Sequence, residues 1–233
     1  MIQYLQGPAG RLEALVDDPA ARCTTGTPEA PSEGTAGQAP RAAVVVAHPH
    51  PLYGGTLHTK VVFQAAKAFC RLGCAALRFN FRGTGASEGS FDNGPGELDD
   101  FRAALDFMAA RYPQAQLWAA GFSFGAWVAL TAGAIDDRVS LLLGIAPPVG
   151  SYDFSAVAES RKPKFFIQGE RDELCPLKAM REFYARIAEP KELVVIDAAD
   201  HLFDGKASEV GDAIEELLED FPRANQRGGR GGR

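Results

Sequence analysis

Ser123 stands between two glycines in Gly121-Phe122-Ser123-Phe124-Gly125, directly after the apolar run Leu117-Trp118-Ala119-Ala120 and before the helix-forming stretch Ala126 to Ala132. A strand-turn-helix of this kind presents its serine on a strained elbow. Glycine is needed two positions to either side, because neighbouring chain approaches too closely for a β-carbon. Ser123 is therefore the candidate nucleophile. In a chain with 25 glycines the pentapeptide alone carries little weight, and a serine at that point also serves as an ordinary helix N-cap. Residues further along the chain give it weight.

A serine hydroxyl needs a base to take its proton and an acid to orient the base. On such an elbow they come in the order serine, acid, histidine. Lys164-Phe165-Phe166-Ile167-Gln168 reads as a buried strand and runs into Gly169-Glu170-Arg171-Asp172, so Asp172 lands just past the strand's C-terminal end. Leu193-Val194-Val195-Ile196 reads as a further strand, followed by Asp197-Ala198-Ala199-Asp200-His201. Of the four histidines, at 48, 50, 58 and 201, only His201 comes after Asp172. The expected roles are Ser123 as nucleophile, His201 as base and Asp172 as orienting acid. Asp197 is expected to shape the histidine loop, and Asp200 to turn its side chain away from its neighbour.

At these residues the sequence resembles the α/β-hydrolase superfamily, and within it the small serine hydrolases without a lid. Members of that group carry H-P-H-P-x-x-G-G after an early strand and R-F-N-F-R-G-x-G-x-S-x-G after the next. The first appears as His48-Pro49-His50-Pro51-Leu52-Tyr53-Gly54-Gly55. The second appears as Arg78-Phe79-Asn80-Phe81-Arg82-Gly83-Thr84-Gly85-Ala86-Ser87-Glu88-Gly89. The resemblance runs from about residue 40 to about residue 220 and keeps every motif in order. It implies a serine hydrolase acting on an ester, thioester or similar acyl bond, with no cofactor. The alternatives are a serine peptidase, or a noncatalytic binding protein on the same scaffold.

Attack on a carbonyl makes an oxyanion, best held by backbone N–H groups already aimed at it, one of them on the residue after the nucleophile. That donor is Phe124. The second is expected in the His48–Gly55 loop, where Pro49 and Pro51 have no N–H to give. Leu52 or His50 is left, with Leu52 the first choice. A plain structural reading of this loop, a rigid turn shaped by proline and glycine, stands beside it. A metal shared by His48 and His50 is rejected, because no nearby carboxylate or cysteine completes a third ligand. Gly83-Thr84-Gly85 lacks the spacing of a dinucleotide loop, and Glu97, Asp99 and Asp100 are better placed as charge at a helix N-terminus. Arg78 and Arg82 are expected to pair with loop carboxylates such as Glu88. Cys175 falls near the pocket rim but is not needed as a nucleophile.

These groups must be carried by a scaffold, and periodicity supplies one. Ile2 to Leu5 and Leu12 to Val16 read as an antiparallel edge hairpin joined through Gly7-Pro8-Ala9-Gly10. From Ala42 onward strands (42–47, 74–80, 116–120, 139–145, 164–168, 191–196) alternate with helices (58–72, 96–111, 124–134, 177–188, 207–220). Alternation of this kind requires a mostly parallel sheet with helices on both faces. The fold class is α/β, an α/β-hydrolase fold in one domain over residues 1–222. Only residues 147–163 separate two of the strands, room for a short helix but not a lid, with Tyr152, Phe154 and Val157 as an expected apolar wall above Ser123. Small acyl substrates without interfacial activation are the consequence.

Residues 17–40 are rich in proline, glycine, serine, threonine and alanine, and are expected to form a mobile loop. Residues 223–233 form an arginine-glycine tail, read as a solubilising terminus with RNA binding as the weaker alternative. At 233 residues and 46% hydrophobic the chain suits one core. A formal charge of −6 argues against a general nucleic-acid or anionic-membrane surface. No apolar run approaches a membrane span, and Met1 to Gly7 lacks the regions of a signal peptide, so the cytoplasm is the expected location. The expected partner is a small-molecule acyl substrate.

Overall fold

A computed structural model describes residues 2–19 and 39–221. Most of the expected mobile loop, and the arginine-glycine tail, lie outside the described residues. The chain opens with strands β1 (Ile2–Gly7) and β2 (Gly10–Asp17), paired antiparallel from Ile2↔Leu15 to Gly7↔Gly10. This is the expected hairpin, closed by a two-residue turn, and Gly10 takes φ 125°, a backbone conformation that favours glycine. Strand β3 (Ala42–Ala47) and helix α1 (Lys60–Arg71) come next, then β4 (Ala75–Phe79) and α2 (Pro95–Arg111). After them stand β5 (Gln116–Phe122), α3 (Phe124–Ile135), β6 (Val139–Ile145) and the short α4 (Ser155–Glu159). Strand β7 (Lys164–Gly169), α5 (Leu177–Arg186), β8 (Lys191–Ile196) and α6 (Ala207–Leu218) complete the domain.

All eight strands form one sheet in the order β1-β2-β4-β3-β5-β6-β7-β8, parallel from β4 to β8, with the hairpin antiparallel at one edge. The architecture is an α/β-hydrolase fold. Its centre is β3, Ala-Ala-Val-Val-Val-Ala, buried at every position. A continuous apolar run suits a parallel strand covered on both faces. Alternation then divides its side chains. Ala43, Val45 and Ala47 join a core with α2 and α3, whereas Ala42, Val44 and Val46 join one with α1 and α6. Both faces being filled, the C-terminal ends of the parallel strands are where loops gather side chains for chemistry.

Three expectations need correction. The chain is still strand at residue 17: Asp17 ends β2, and its buried carboxylate takes the guanidinium of Arg78 at 2.8 Å. Two oppositely charged groups removed from water need each other, which ties β2 to β4. Arg78 therefore does not pair with Glu88, nor does Arg82, which holds the buried carboxylate of Asp100 at 2.8 Å. Glu88 instead meets Arg11 at 3.0 Å in an exposed pair. Finally, Phe154 and Val157 do not form a wall over the serine. Phe154 packs on Phe183 with ring centroids 5.5 Å apart, and Val157 is fully buried, because α4 turns its apolar face into the core.

Candidate active site

Strand β5 delivers Ser123 and α3 begins at the next residue, so the chain must reverse within one position. Ser123 takes φ 55° and ψ −122°, a strained conformation for a residue with a β-carbon. The flanking glycines explain how the turn is tolerated. A β-carbon at Gly121 would lie 2.2 Å from the carbonyl oxygen of Gly125, and one at Gly125 would lie 2.3 Å from that of His48. The Ser123 N–H donates to the Ile145 carbonyl at 2.8 Å, which pins the elbow to β6.

The loops after β7 and β8 bring the other two expected groups to the serine. His201 Nε2 lies 2.9 Å from Ser123 Oγ, and His201 Nδ1 lies 2.8 Å from Asp172 Oδ2. The imidazole rests against Phe122, ring centroids 5.5 Å apart, and His201 is buried. The Asp172 side chain is fully buried. Its Oδ1 accepts the N–H groups of Leu174 and Cys175 at 2.9 and 2.7 Å, and its Oδ2 accepts Gln168 Nε2 at 2.9 Å in addition to His201. Four donors around one carboxylate suit an ionised, acceptor-only group. Asp197 and Asp200 are both exposed.

Gln168 is the group that sequence reasoning passed over. It is fully buried at the end of β7, and its amide also donates to the Cys175 carbonyl at 2.7 Å, while its Oε1 has no partner among the described residues. The available signal was a polar side chain straight after the apolar run Phe165-Phe166-Ile167 and four residues before Asp172. Cys175 itself is buried behind the carboxylate. Atoms of Asp172, Cys175 and His201 able to ligate a metal lie within 4.8 Å of one another. Burial pushes the Cys175 thiol up to about 12, so it stands there as a neutral thiol while the carboxylate is taken by its four donors.

In the loop after β3 both nitrogens of His48 are engaged. Nδ1 lies 2.6 Å from the Pro49 carbonyl, and Nε2 accepts the Phe81 N–H at 3.1 Å. Full burial pulls His48 down to about 4, with the Pro49 hydrogen bond opposing and the charge of His50 adding to the fall. A neutral imidazole thus joins the two glycine-rich loops. The Leu52 N–H, the first choice for an oxyanion donor, turns onto His50 Nδ1 at 3.2 Å in the short 3-10 turn Pro51–Tyr53. Among the described residues the N–H groups of His50 and Phe124 meet no acceptor.

Space flanks the histidine. A cavity of about 420 Å³ is lined by Arg171, Glu173, Leu174, Asp200, His201 and Leu202, and a neighbouring one of about 290 Å³ shares Asp200 and Leu202 with it. No helix among the described residues is long and apolar enough to cross a membrane.

Residues 38–158 match the model of the family described as serine aminopeptidase, S33. An uncharacterised protein of Rickettsia prowazekii (strain Madrid E) is 37% identical over 92% of this chain and 87% of its own length. An α/β serine hydrolase homologue from Coxiella burnetii superposes with TM-score 0.81 at 35% identity, covering 94% of this chain and 97% of its own. An α/β serine hydrolase without lid from Xanthomonas campestris gives TM-score 0.80, also at 35% identity, over 94% of this chain and 93% of its own.

Proposed function

The chain belongs to this family of α/β serine hydrolases, and from that premise we propose that it cleaves a carboxylic ester, thioester or similar acyl bond through Ser123, His201 and Asp172. The observation that carries the reading is the continuous chain of contacts from Ser123 Oγ to His201 Nε2 at 2.9 Å and from His201 Nδ1 to Asp172 Oδ2 at 2.8 Å. His201 takes the hydroxyl proton as Oγ attacks the carbonyl carbon. The new C–O bond pushes an electron pair onto the carbonyl oxygen, and the N–H groups of Phe124 and His50 receive that oxyanion. His50 replaces Leu52 in this role, because the Leu52 N–H is already held by the imidazole of His50. Collapse of the intermediate breaks the bond to the leaving atom, which takes the proton from His201. Water then repeats the sequence on the acyl-enzyme. Asp172 holds the tautomer in which Nε2 is free to accept.

The connection between β6 and β7, residues 146–163, holds only the five-residue α4, which favours small substrates met without a moving cover. The family description favours a second reading, a serine peptidase, which uses the same groups on an amide. The test is a fluorophosphonate probe followed by peptide mapping, run beside short acyl esters, acyl thioesters and aminoacyl anilides. Label on Ser123 and ester or thioester turnover that vanishes in Ser123→Ala support the proposal. Turnover confined to anilides would favour the peptidase, and an unlabelled Ser123 would leave a binding protein.

A further inference from the structure

Several aromatic rings that the proposed triad does not use converge on Phe124, the chain neighbour of Ser123. His50, Phe91, Trp127 and Tyr152 have centroids 5.0, 5.9, 5.5 and 5.8 Å from that of Phe124, and each is only half-buried. Tyr53, largely exposed, extends the surface from His50 at 4.7 Å. They come from the loops after β3, β4 and β6 and from the first turn of α3. The cavity at His201 belongs instead to the loops after β7 and β8. The ring cluster and the cavity at His201 thus draw on different loops, and the cluster includes Phe124 and His50, whose N–H groups are the proposed oxyanion donors.

The rings of this aromatic wall are held by one another and by the backbone. Trp127 stacks on Tyr152 at 4.6 Å and 26°, and its indole N–H donates to the Asp153 carbonyl at 3.0 Å. Gly94 makes room for it: a β-carbon there would stand 2.7 Å from the indole. The chemistry sets the direction of an acyl group past this wall. The leaving atom must face His201 Nε2 to take its proton, and the oxyanion must face the Phe124 and His50 N–H groups. That leaves the remaining substituent on the carbonyl carbon for the rings around Phe124 and His50, the residues that carry those donors.

We propose that these rings form the acyl subsite and select an acyl group ending in a planar aromatic ring over a saturated ring of equal size, an inference that rests on the hydrolase reading above. Aromatic pairs in offset-stacked or edge-to-face arrangements gain more than their buried area alone provides. Walls of rings with few rotatable bonds also lose little freedom when a ligand settles on them.

The experiment compares kcat/KM for methyl 3-phenylpropanoate and methyl 3-cyclohexylpropanoate. The two share leaving group and carbon count, and the ring lies too far from the carbonyl to alter its reactivity. The expected ratio is about tenfold in favour of phenyl, as two ring contacts would give, and Trp127→Leu and Tyr152→Leu should each bring it toward one. A ratio near one in the native enzyme, with Ser123-dependent turnover intact, overturns the subsite and leaves the hydrolase reading standing. If neither ester turns over, labelling of Ser123 still decides the hydrolase reading separately, and Trp127 emission tests the wall. In that case 3-phenylpropanoate should quench it at concentrations where 3-cyclohexylpropanoate does not, with the response lost in Trp127→Leu. Equal responses to the two acids overturn the proposal.

Discussion

A β-carbon on Gly125 would stand 2.3 Å from the carbonyl oxygen of His48, so the elbow and the loop after β3 are packed backbone to backbone. Neither side of that contact is a flexible side chain that can swing away. The proposed nucleophile and the proposed second oxyanion donor, His50, are thereby held in one rigid frame.

Gly125→Ala should push these two loops apart and lower kcat/KM by about 10² or more, since displacements near 1 Å at a reacting centre carry penalties of that order. The measurement is steady-state turnover of a short acyl ester alongside thermal unfolding. A variant with normal activity would mean that the frame is not what aligns the site.

The three aspartates near His201 are separated by their surroundings. Only Asp172 touches the imidazole, and it does so fully buried. Asp172→Asn should lower kcat by about 10⁴ by favouring the wrong tautomer, whereas Asp197→Asn and Asp200→Asn should stay near the native rate. A larger loss at Asp197 than at Asp172 would overturn the assignment.

His48 makes stability depend on pH. Its folded pKa is lowered from 6.5 to about 4 by burial, so the folded chain resists a proton that the unfolded chain accepts. Stability from this group is complete above about 6.5 and is lost as pH falls from there toward about 4, below which both states are protonated. The loss is about 3 kcal/mol, at about 1.4 kcal/mol for each pH unit between the two values. Chemical denaturation between pH 7 and 4 should show that decline, and His48→Gln, which keeps an acceptor for the Phe81 N–H, should flatten it. An unchanged slope in the variant would rule His48 out as its source.

Much of this molecule was legible in its sequence because its strands are short apolar runs separated by helices, of which α1, α5 and α6 are clearly amphipathic. The elbow was legible because Gly121, Ser123 and Gly125 answer to a single steric demand. Features that stayed hidden depend on contacts between distant segments or on the rotation of a short element. The pairing of Arg78 with Asp17 joins residues 61 apart in the chain, and nothing local to Arg78 points to it. Whether Leu52 or His50 offers its N–H is decided by a 3-10 turn that folds the His50 ring onto Leu52. Phe154 and Val157 sit at a helix of five residues, too short for periodicity to tell inside from outside.

Gln168 offers the sharpest test of how the acid is held. Its amide nitrogen donates to Asp172 Oδ2 at 2.9 Å and to the Cys175 carbonyl at 2.7 Å, while its oxygen is buried without a partner among the described residues. A buried orphan oxygen is costly, about 1–3 kcal/mol, and the amide bears that cost while it fixes the carboxylate that orients His201. Gln168→Leu removes the orphan but takes its donor from the Cys175 carbonyl and leaves Asp172 Oδ2 held by His201 alone, so kcat should fall about tenfold while KM changes little. Gln168→Glu keeps the shape and sets an oxygen against Asp172 Oδ2, so it should be the more damaging of the two. Circular dichroism of both variants separates misfolding from mispositioning. If the glutamate variant matches the native kcat, the amide is not acting as a donor to Asp172, and a filling role in the core is all that is left for Gln168.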